Sequence, residues 1–336
     1  MPSGLRDDTA PGPAAATGIG GGTVHWLDTP DGLRLRAAHW PAGRRGTVLL
    51  LNGRTEFIEK YLESVAELQA RGFAVWTLDW RGQGLSSRLL PDPVLNHAVR
   101  FADMLADLDL LLDRLVLPGL EGRALVMLAH SMGGHLGALA LARRPGVFTR
   151  AVLSAPMIDF RRHPALRRPL MQVLLRLALL RPGVAARHGP GTSRLPPLDR
   201  PFAGNPLTAC PVRYAADVAL QRADPRLQGG GATWGWLRAA ADSVADLHRP
   251  GVARSITLPV LLLLAGQERL VDNRALRRFA RRLPDAELVE VPGARHELLR
   301  EHDRHRHQVW AAIDRFLVPV GTEGPPQPTV RSGRSI

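Results

Sequence analysis

The sequence predicts an α/β protein with a mostly parallel central sheet flanked by helices. Short apolar runs that are typical of buried strands alternate with longer segments of helical spacing. Runs such as Val260–Leu264 are apolar at every position, as expected of strands that are buried on both faces of a parallel sheet. With 336 residues, the chain is long enough for one such core carrying an inserted subdomain.

The elements follow from these patterns in chain order. Compact apolar runs bounded by turn residues predict strands at 24–26, 33–39, 47–51, 73–78, 124–129, 151–153, 260–264 and 288–291. Apolar residues at helical spacing predict helices at 61–71, 101–115, 131–143, 273–283 and 305–317. Asn96 is a candidate cap upstream of the second of these helices.

The stretch from about 156 to 256 interrupts this rhythm, because it is rich in Pro, Arg and Leu and offers few strands. We therefore predict a core of residues 23–156 and 257–319, a helical cap insertion at 157–256, and disordered tails at 1–22 and 320–336. Leucines recur at helical spacing over 164–187, with arginines among them. This segment is either a cap helix that lines an acyl-chain pocket and rests on a membrane, or a helix buried against the core.

Composition limits the classes of partner. The net charge is +13, and Lys60 is the only lysine among 44 basic residues. Such charge fits anionic lipid or nucleic acid, but the arginines are scattered and no nucleic-acid-binding motif accompanies them, so we expect no nucleic-acid partner.

A single cysteine, Cys210, excludes an intrachain disulfide and suits a reducing cytoplasm. We expect no cofactor and no metal site, and a cytoplasmic location with peripheral contact at the inner face of the membrane as an open question.

The segment from Leu125 to Ala142 contains a strand, a sharp turn and a helix, with Ser131 at the turn. Small residues, Ala129 and Gly133, flank Ser131 at a spacing of two, as a nucleophile on a strained turn requires. The usual pattern has glycine at both places, so Ala129 is a mild departure. The turn would expose the Ser131 hydroxyl and would place the Met132 N–H at a helix N-terminus, where it can stabilise an oxyanion.

A serine nucleophile needs a histidine base and an acid that orients the histidine. Among 12 histidines, His296 stands out because it follows a strand directly in a Pro-Gly turn, whereas His302, His305 and His307 approach the last helix. Two acids, Glu268 and Asp272, follow the strand 260–264. Glu268 is preferred because it lies nearer the strand end, and Asp272 is equally suited to capping the next helix.

A second oxyanion donor is expected in the loop after the strand 47–51, where Gly53 permits a tight turn and the Arg54 N–H is the candidate donor. The same residues could also form an ordinary Asn-Gly turn.

Four segments resemble the lysophospholipase L2 and monoacylglycerol lipase branch of the α/β hydrolases. They are Ala-His-Ser-Met-Gly-Gly at 129–134, Asp-Trp-Arg-Gly-Gln-Gly-Leu-Ser at 79–86, Glu-Arg-Leu-Val-Asp-Asn at 268–273 and Gly-Ala-Arg-His-Glu at 293–297. The resemblance spans about Trp26 to Leu317 and implies an α/β-hydrolase fold and ester hydrolysis through an acyl-serine. It also supports Glu268 as the acid, with Glu in place of Asp, whereas Asn52 departs from the usual histidine of the lipases.

The resemblance implies a small lipid or ester substrate, most simply a lysophospholipid or a monoacylglycerol. A non-lipid esterase or peptidase of the same fold is the alternative, because one fold and one triad serve many substrates. A catalytically inactive binding protein is a further alternative, which the presence of Ser, acid and His in the expected order argues against.

Overall fold

The computed structural model describes residues 5–6, 18–41, 43–160, 183–192, 197–318 and 320, with isolated positions between 173 and 181. The helix predicted within 164–187 lies largely outside the described residues, as do the two predicted tails.

A single sheet organises the described chain. Its strands are β1 (Leu5–Arg6), β2 (Thr23–Asp28), β3 (Arg34–Trp40), β4 (Gly46–Leu51), β5 (Phe73–Leu78), β6 (Leu125–His130), β7 (Arg150–Ser154), β8 (Val260–Ala265) and β9 (Ala286–Val291). Their spatial order is β1-β2-β3-β5-β4-β6-β7-β8-β9. The pairs among β1, β2, β3 and β5 are antiparallel, and the pairs from β5 through β4 to β9 are parallel. The predicted α/β class with a mostly parallel sheet is confirmed.

Helices cover both faces of this sheet. They are α1 (Leu62–Ala70), α2 (Phe101–Leu111), α3 (Ser131–Arg143), α4 (Pro211–Ala223), α5 (Trp234–Leu247), α6 (Asn273–Ala280) and α7 (Asp303–Leu317). Short 3-10 turns lie at Ile58–Tyr61, Leu117–Gly119, Pro197–Asp199, Pro225–Leu227, Ala253–Ser255 and Leu298–Arg300, and a π turn lies at Leu112–Val116.

Strand β4 shows why the central parallel strands are largely apolar. Leu49 and Leu51 pack in the cluster that holds α2, α3, α5 and α6. Val48 and Leu50 point the other way, into the cluster that holds α1 and α7. Because successive side chains of a strand alternate between faces, a strand covered on both sides must be apolar at every position.

Asn96 does not cap α2, so that expectation is wrong. The residue before α2 is Arg100, and it makes no capping hydrogen bond. Asn96 is buried instead; its N–H donates to Gly231 O at 3.0 Å and its Nδ2 donates to Gln83 Oε1 at 3.3 Å. A long-range bridge to residues 231–233 therefore takes the side chain that a local pattern would place at a helix end.

The described part of residues 157–256 includes two helices, α4 and α5, that contact different parts of the core. Helix α4 lies beside the 3-10 turn Ile58–Tyr61, and helix α5 packs on α2 and α3. Trp236 of α5 makes an edge contact with Phe101 of α2, with ring centroids 5.6 Å apart. Helix α5 thus belongs to the apolar interior that supports the sheet. No helix within the described ranges is both long and apolar enough to cross a membrane.

Candidate active site

Ser131 lies at the junction of β6 and α3, on the carboxyl edge of the parallel strands. Its φ angle is +51°, a left-handed conformation that costs a non-glycine residue free energy and persists only where the surroundings enforce it. The residue before it, His130, is extended, and α3 begins at Ser131 itself. The strained turn therefore lifts the hydroxyl away from the sheet, at the N-terminus of a 13-residue helix.

Small residues make this turn sterically possible. A Cβ added at Gly133 would lie 2.5 Å from Leu51 O and would also collide with Asn52 O, so α3 can approach the end of β4 only through a glycine. A Cβ at Gly134 would lie 2.7 Å from the Cβ of Pro156. Ala129 is fully buried in β6, and its methyl group is accommodated there.

Ser131, His296 and Glu268 form one hydrogen-bonded chain. His296 Nε2 lies 2.8 Å from Ser131 Oγ, and His296 Nδ1 lies 2.7 Å from Glu268 Oε2. Because a carboxylate can only accept, Nδ1 carries the proton and Nε2 is left to accept the serine proton. This arrangement can deprotonate Ser131 as its oxygen attacks a carbonyl carbon.

Glu268 is held as a carboxylate. Its Oε1 accepts hydrogen bonds from the N–H groups of Arg269 and Leu270 at 2.9 and 2.7 Å and of Val271 at 3.2 Å. Burial by itself would raise the pKa of Glu268, but His296 and these backbone donors lower it below its usual value. A charged acid beside His296 stabilises the imidazolium that forms when the histidine takes a proton.

The second candidate acid, Asp272, is placed elsewhere. It is the N-cap of α6, and its Oδ1 accepts hydrogen bonds from Arg274 N at 2.8 Å and Ala275 N at 3.2 Å. The structure thus brings Glu268, and not Asp272, to His296. Among the other histidines considered, His305 belongs to α7 and faces Glu301 at 3.5 Å.

The backbone amides of the loop after β4 differ in whether they have an acceptor. Glu56 accepts the hydrogen bond of Gly53 N–H, and Gln83 Oε1 accepts that of Thr55 N–H at 2.9 Å. Within the described ranges the Arg54 N–H, which lies between these two satisfied donors, donates to no backbone acceptor. Gly133 allows the start of α3 to lie directly against Leu51 and Asn52, at the beginning of this loop.

Residues 205–209 brace the loop that carries His296. Glu297 N–H donates to Leu207 O at 2.8 Å. The Arg295 guanidinium donates to Asn205 O and to Thr208 O, each at 3.0 Å. Residues 205–209, which are distant in sequence, therefore hold this loop in place. These contacts restrict the orientation of the His296 ring.

The site also uses side chains that the sequence reasoning left without a role. Gln83, in the segment 79–86, donates from Nε2 to Gly53 O at 3.0 Å and accepts through Oε1 from Thr55 N–H, and so shapes the loop after β4. Glu56 fixes the same loop by accepting the hydrogen bond of Gly53 N–H. Gln83 stands in a polar loop, and the local sequence does not specify its partners 28 and 30 residues away.

Comparison with known proteins places this geometry in a family. The family model described as serine aminopeptidase, S33, matches residues 42–303. The chain belongs to this family. It is a serine hydrolase of the α/β-hydrolase fold, as the resemblance of its motifs implied.

Named relatives of this S33 hydrolase include lysophospholipase L2 of Escherichia coli, which is 36% identical over 294 residues, 85% of this chain and 83% of the relative. The monoacylglycerol lipase of Mycolicibacterium smegmatis is 26% identical over 269 residues, 77% of this chain and 84% of the relative. Among solved structures, a soluble variant of monoglyceride lipase from Saccharomyces cerevisiae, determined with a substrate analogue, matches with a TM-score of 0.66 and 21% identity, covering 88% of this chain and 95% of that one.

Proposed function

We propose that this S33 hydrolase cleaves the carboxylic ester of a single-chain lipid, with lysophospholipids as its substrate class. The observation that carries the proposal is the continuous hydrogen-bonded chain from Ser131 through His296 to Glu268, at 2.8 and 2.7 Å. The relative with 36% identity is named lysophospholipase L2, which directs the choice of ester.

In the proposed mechanism Ser131 attacks the ester carbonyl while His296 takes its proton, and an acyl-serine forms as the alcohol leaves with that proton. Water then attacks the acyl-serine with His296 again as the base, releasing the fatty acid and restoring the hydroxyl. Glu268 holds the imidazole in the required tautomer. The N–H groups of Arg54 and Met132 stabilise the negative oxygen of each tetrahedral intermediate.

Arg54 supports a phosphate-bearing headgroup. Its guanidinium lies 5.4 Å from the centroid of the Trp236 ring and donates to Gly230 O at 3.0 Å. Burial, followed by the charge of Arg200, lowers the pKa of Arg54 to about 10, so it remains cationic at neutral pH. An anion beside Arg54 would offset both the cost of burying its charge and the repulsion from Arg200, whereas a neutral glycerol would offset neither.

The sequence of the insertion also favours a phosphate-bearing headgroup. Residues 160–198 contain eight arginines and no Asp or Glu. We propose that this insertion forms a cap above Ser131 and favours anionic or zwitterionic lipid over neutral lipid. An aminopeptidase, by contrast, needs an acidic group for the substrate ammonium, whereas Glu268 is engaged by His296, and Glu56 and Glu297 are paired with Lys60.

We further propose that the enzyme is cytoplasmic and meets its substrate at an anionic membrane face. Val173, Leu180 and Leu270 are exposed apolar side chains, with Leu180 78% exposed, and Leu270 lies two residues after Glu268. The net charge of +13 would add attraction to acidic headgroups. Co-sedimentation with phosphatidylglycerol vesicles at low salt, lost at high salt and absent with phosphatidylcholine vesicles, is expected; no sedimentation at low salt would contradict the membrane part alone.

The deciding experiment measures fatty-acid release from lysophosphatidylcholine and from a monoacylglycerol of the same acyl chain. Ser131→Ala should abolish release from both. Arg54→Gln, which keeps the backbone amide, should raise KM for lysophosphatidylcholine about tenfold and leave the monoacylglycerol little changed, because only the former loses a charged contact. Release from an aminoacyl p-nitroanilide, with neither lipid cleaved, would replace the lipid proposal by a peptidase.

A further inference from the structure

The buried cation Lys60 lies among residues that support the proposed active site. The ammonium group of Lys60, in the turn Ile58–Tyr61, is 2.6 Å from Glu297 Oε1, 3.0 Å from Glu56 Oε1 and 3.6 Å from Asp217 Oδ2. Lys60 itself is only 7% exposed. A charge so far from water persists only when its partners are close and well placed, and here three carboxylates surround it.

Each of the three carboxylates belongs to a different part of the site. Glu56 ends the oxyanion loop (residues 52–56), where its other oxygen accepts from Gly53 N–H and, at 2.6 Å, from the Tyr61 hydroxyl. Glu297 follows His296 directly in the histidine loop (residues 292–297). Asp217 lies on α4, and Arg300 binds it at 2.6 Å. Lys60 is therefore the point at which the two catalytic loops and α4 meet.

The identity of this residue is unusual for the chain. Lys60 is the only lysine among 44 basic residues. An ammonium group offers three tetrahedral donors and can face three carboxylates from three directions, whereas a planar guanidinium favours a paired contact with one. The three carboxylates around Lys60 match the three donors of an ammonium group.

The cluster also reaches the nucleophile turn. His130, which precedes Ser131, lies with Nε2 3.8 Å from Glu56 Oε1, and its ring centroid is 4.9 Å from that of His296. Burial lowers the pKa of His130 to about 4, so it is neutral at pH 7 and does not neutralise Glu56. Without Lys60, Glu56 and Glu297 would face one another with no cation between them.

Resting on the function proposed above, we propose that Lys60 is a positioning residue for hydrolysis. By neutralising Glu56 and Glu297 together, it holds the oxyanion loop and the histidine loop at the spacing in which Arg54 N–H and His296 act on the same ester carbonyl. Lys60 touches neither substrate nor the reacting atoms, so its effect falls on the chemical step and not on substrate binding.

The test compares Lys60→Met with the wild type on p-nitrophenyl butyrate, with rates expressed per folded molecule. We expect kcat to fall about 100-fold with KM nearly unchanged, since a displacement of about 1 Å has effects of that size. The rate at which a fluorophosphonate probe labels Ser131 should fall in parallel. Unchanged kcat and labelling rate would overturn the proposal.

Arg36→Met is the matched control. Arg36 is the cation of a second buried cluster on the same turn, with Glu59 at 2.5 Å and Asp79 at 3.5 Å. Its loss should lower Tm by a similar amount while kcat stays close to that of the wild type. If Arg36→Met lowers kcat as much as Lys60→Met does, general destabilisation explains the effect and the positioning role is wrong.

Two further variants keep the test decisive. Lys60→Met/Glu297→Met should recover about tenfold in kcat over Lys60→Met, a coupling typical of residues in contact, because the unpaired carboxylate beside His296 is removed with its cation. If Lys60→Met does not fold, Lys60→Arg keeps the charge but not the tetrahedral geometry, and it should still lose kcat; wild-type kcat in Lys60→Arg would overturn the proposal.

The probe separates this proposal from the proposed function. A wild type that is labelled at Ser131 but cleaves no lipid leaves the Lys60 comparison intact and discards only the lipid substrate. A wild type that neither cleaves esters nor reacts with the probe discards both.

Discussion

The nucleophile side and the histidine side of the active site are built on different principles. Ser131 lies within a contiguous segment, β6 and α3, and its strained φ is enforced by close contacts of Gly133 and Gly134. His296 is placed by partners far away in sequence: Glu268, 28 residues before it, and the residues around Leu207, which brace its loop. The nucleophile side depends on glycines, whose lack of a side chain permits close contacts. The histidine side depends on charges and hydrogen bonds.

This difference teaches where each side is vulnerable. Steric exclusion fails when a single methyl group is added, because packed backbone has nowhere to move. A hydrogen-bonded chain fails when one partner loses its charge or its acceptor, even though the shape is retained. Substitutions that act on one side only therefore test the two sides separately.

The largest effect is expected on the histidine side, from Glu268→Gln. The amide keeps the shape but no longer enforces the tautomer of His296 or stabilises its protonated form, so kcat should fall about 10⁴-fold. Steady-state hydrolysis of p-nitrophenyl butyrate measures this. Asp272→Asn is the control, and it should retain wild-type kcat; the reverse pattern would make Asp272 the acid.

On the nucleophile side, Gly133→Ala should lower kcat about 100-fold and also lower stability, by about 1–3 kcal/mol. The added Cβ would lie 2.5 Å from Leu51 O, so α3 must move away from β4 and carry the Met132 amide with it. Gly119→Ala is the control, because a Cβ there has no neighbour within 4 Å. Equal effects of the two variants on kcat would show that the contact at Gly133 is not a constraint.

Helix α3 should also make the nucleophile side sensitive to acid. His135 is fully buried between Met157 O at 3.0 Å and Ser243 Oγ at 2.7 Å. Burial lowers its pKa to about 4 from 6.5, so the unfolded chain binds more protons than the folded one between these values. Stability should therefore fall as the pH falls from 6.5 to 4.

Urea unfolding at a series of pH values measures this dependence. In His135→Gln, which cannot titrate, the fall between pH 6.5 and pH 4 should be smaller than in the wild type, although stability at pH 7 is also lower. An identical pH slope in both proteins would mean that His135 is not the group responsible.

The smallest effect is expected from Asp272→Ala, on the helix that follows Glu268. Its Oδ1 caps α6 through Arg274 N and Ala275 N, and loss of such a cap costs about 1 kcal/mol. The urea midpoint should fall slightly while kcat is unchanged. A fall in kcat larger than the fall in folded fraction would show that capping also positions Glu268.

The sequence by itself determined the elements and the turn that carries Ser131. The strand Phe73–Leu78 and the helix Ser131–Arg143 have the predicted bounds, and most other elements differ by one to three residues at an end. These features are local, since alternating burial and helical spacing are written in neighbouring residues. Asn96 was misplaced because its bonds go to Gln83 and Gly231, which no local pattern reveals.

Only the tertiary structure decided which acid reaches His296, and what surrounds Lys60. Glu268 and Asp272 are four residues apart and both follow β8, so their sequence context fits either role. Their contacts differ because the turn after β8 directs one carboxylate towards His296 and the other onto α6. The carboxylates around Lys60 lie 4, 157 and 237 residues away along the chain, and burial makes these pairings strong only once the fold has excluded water from them.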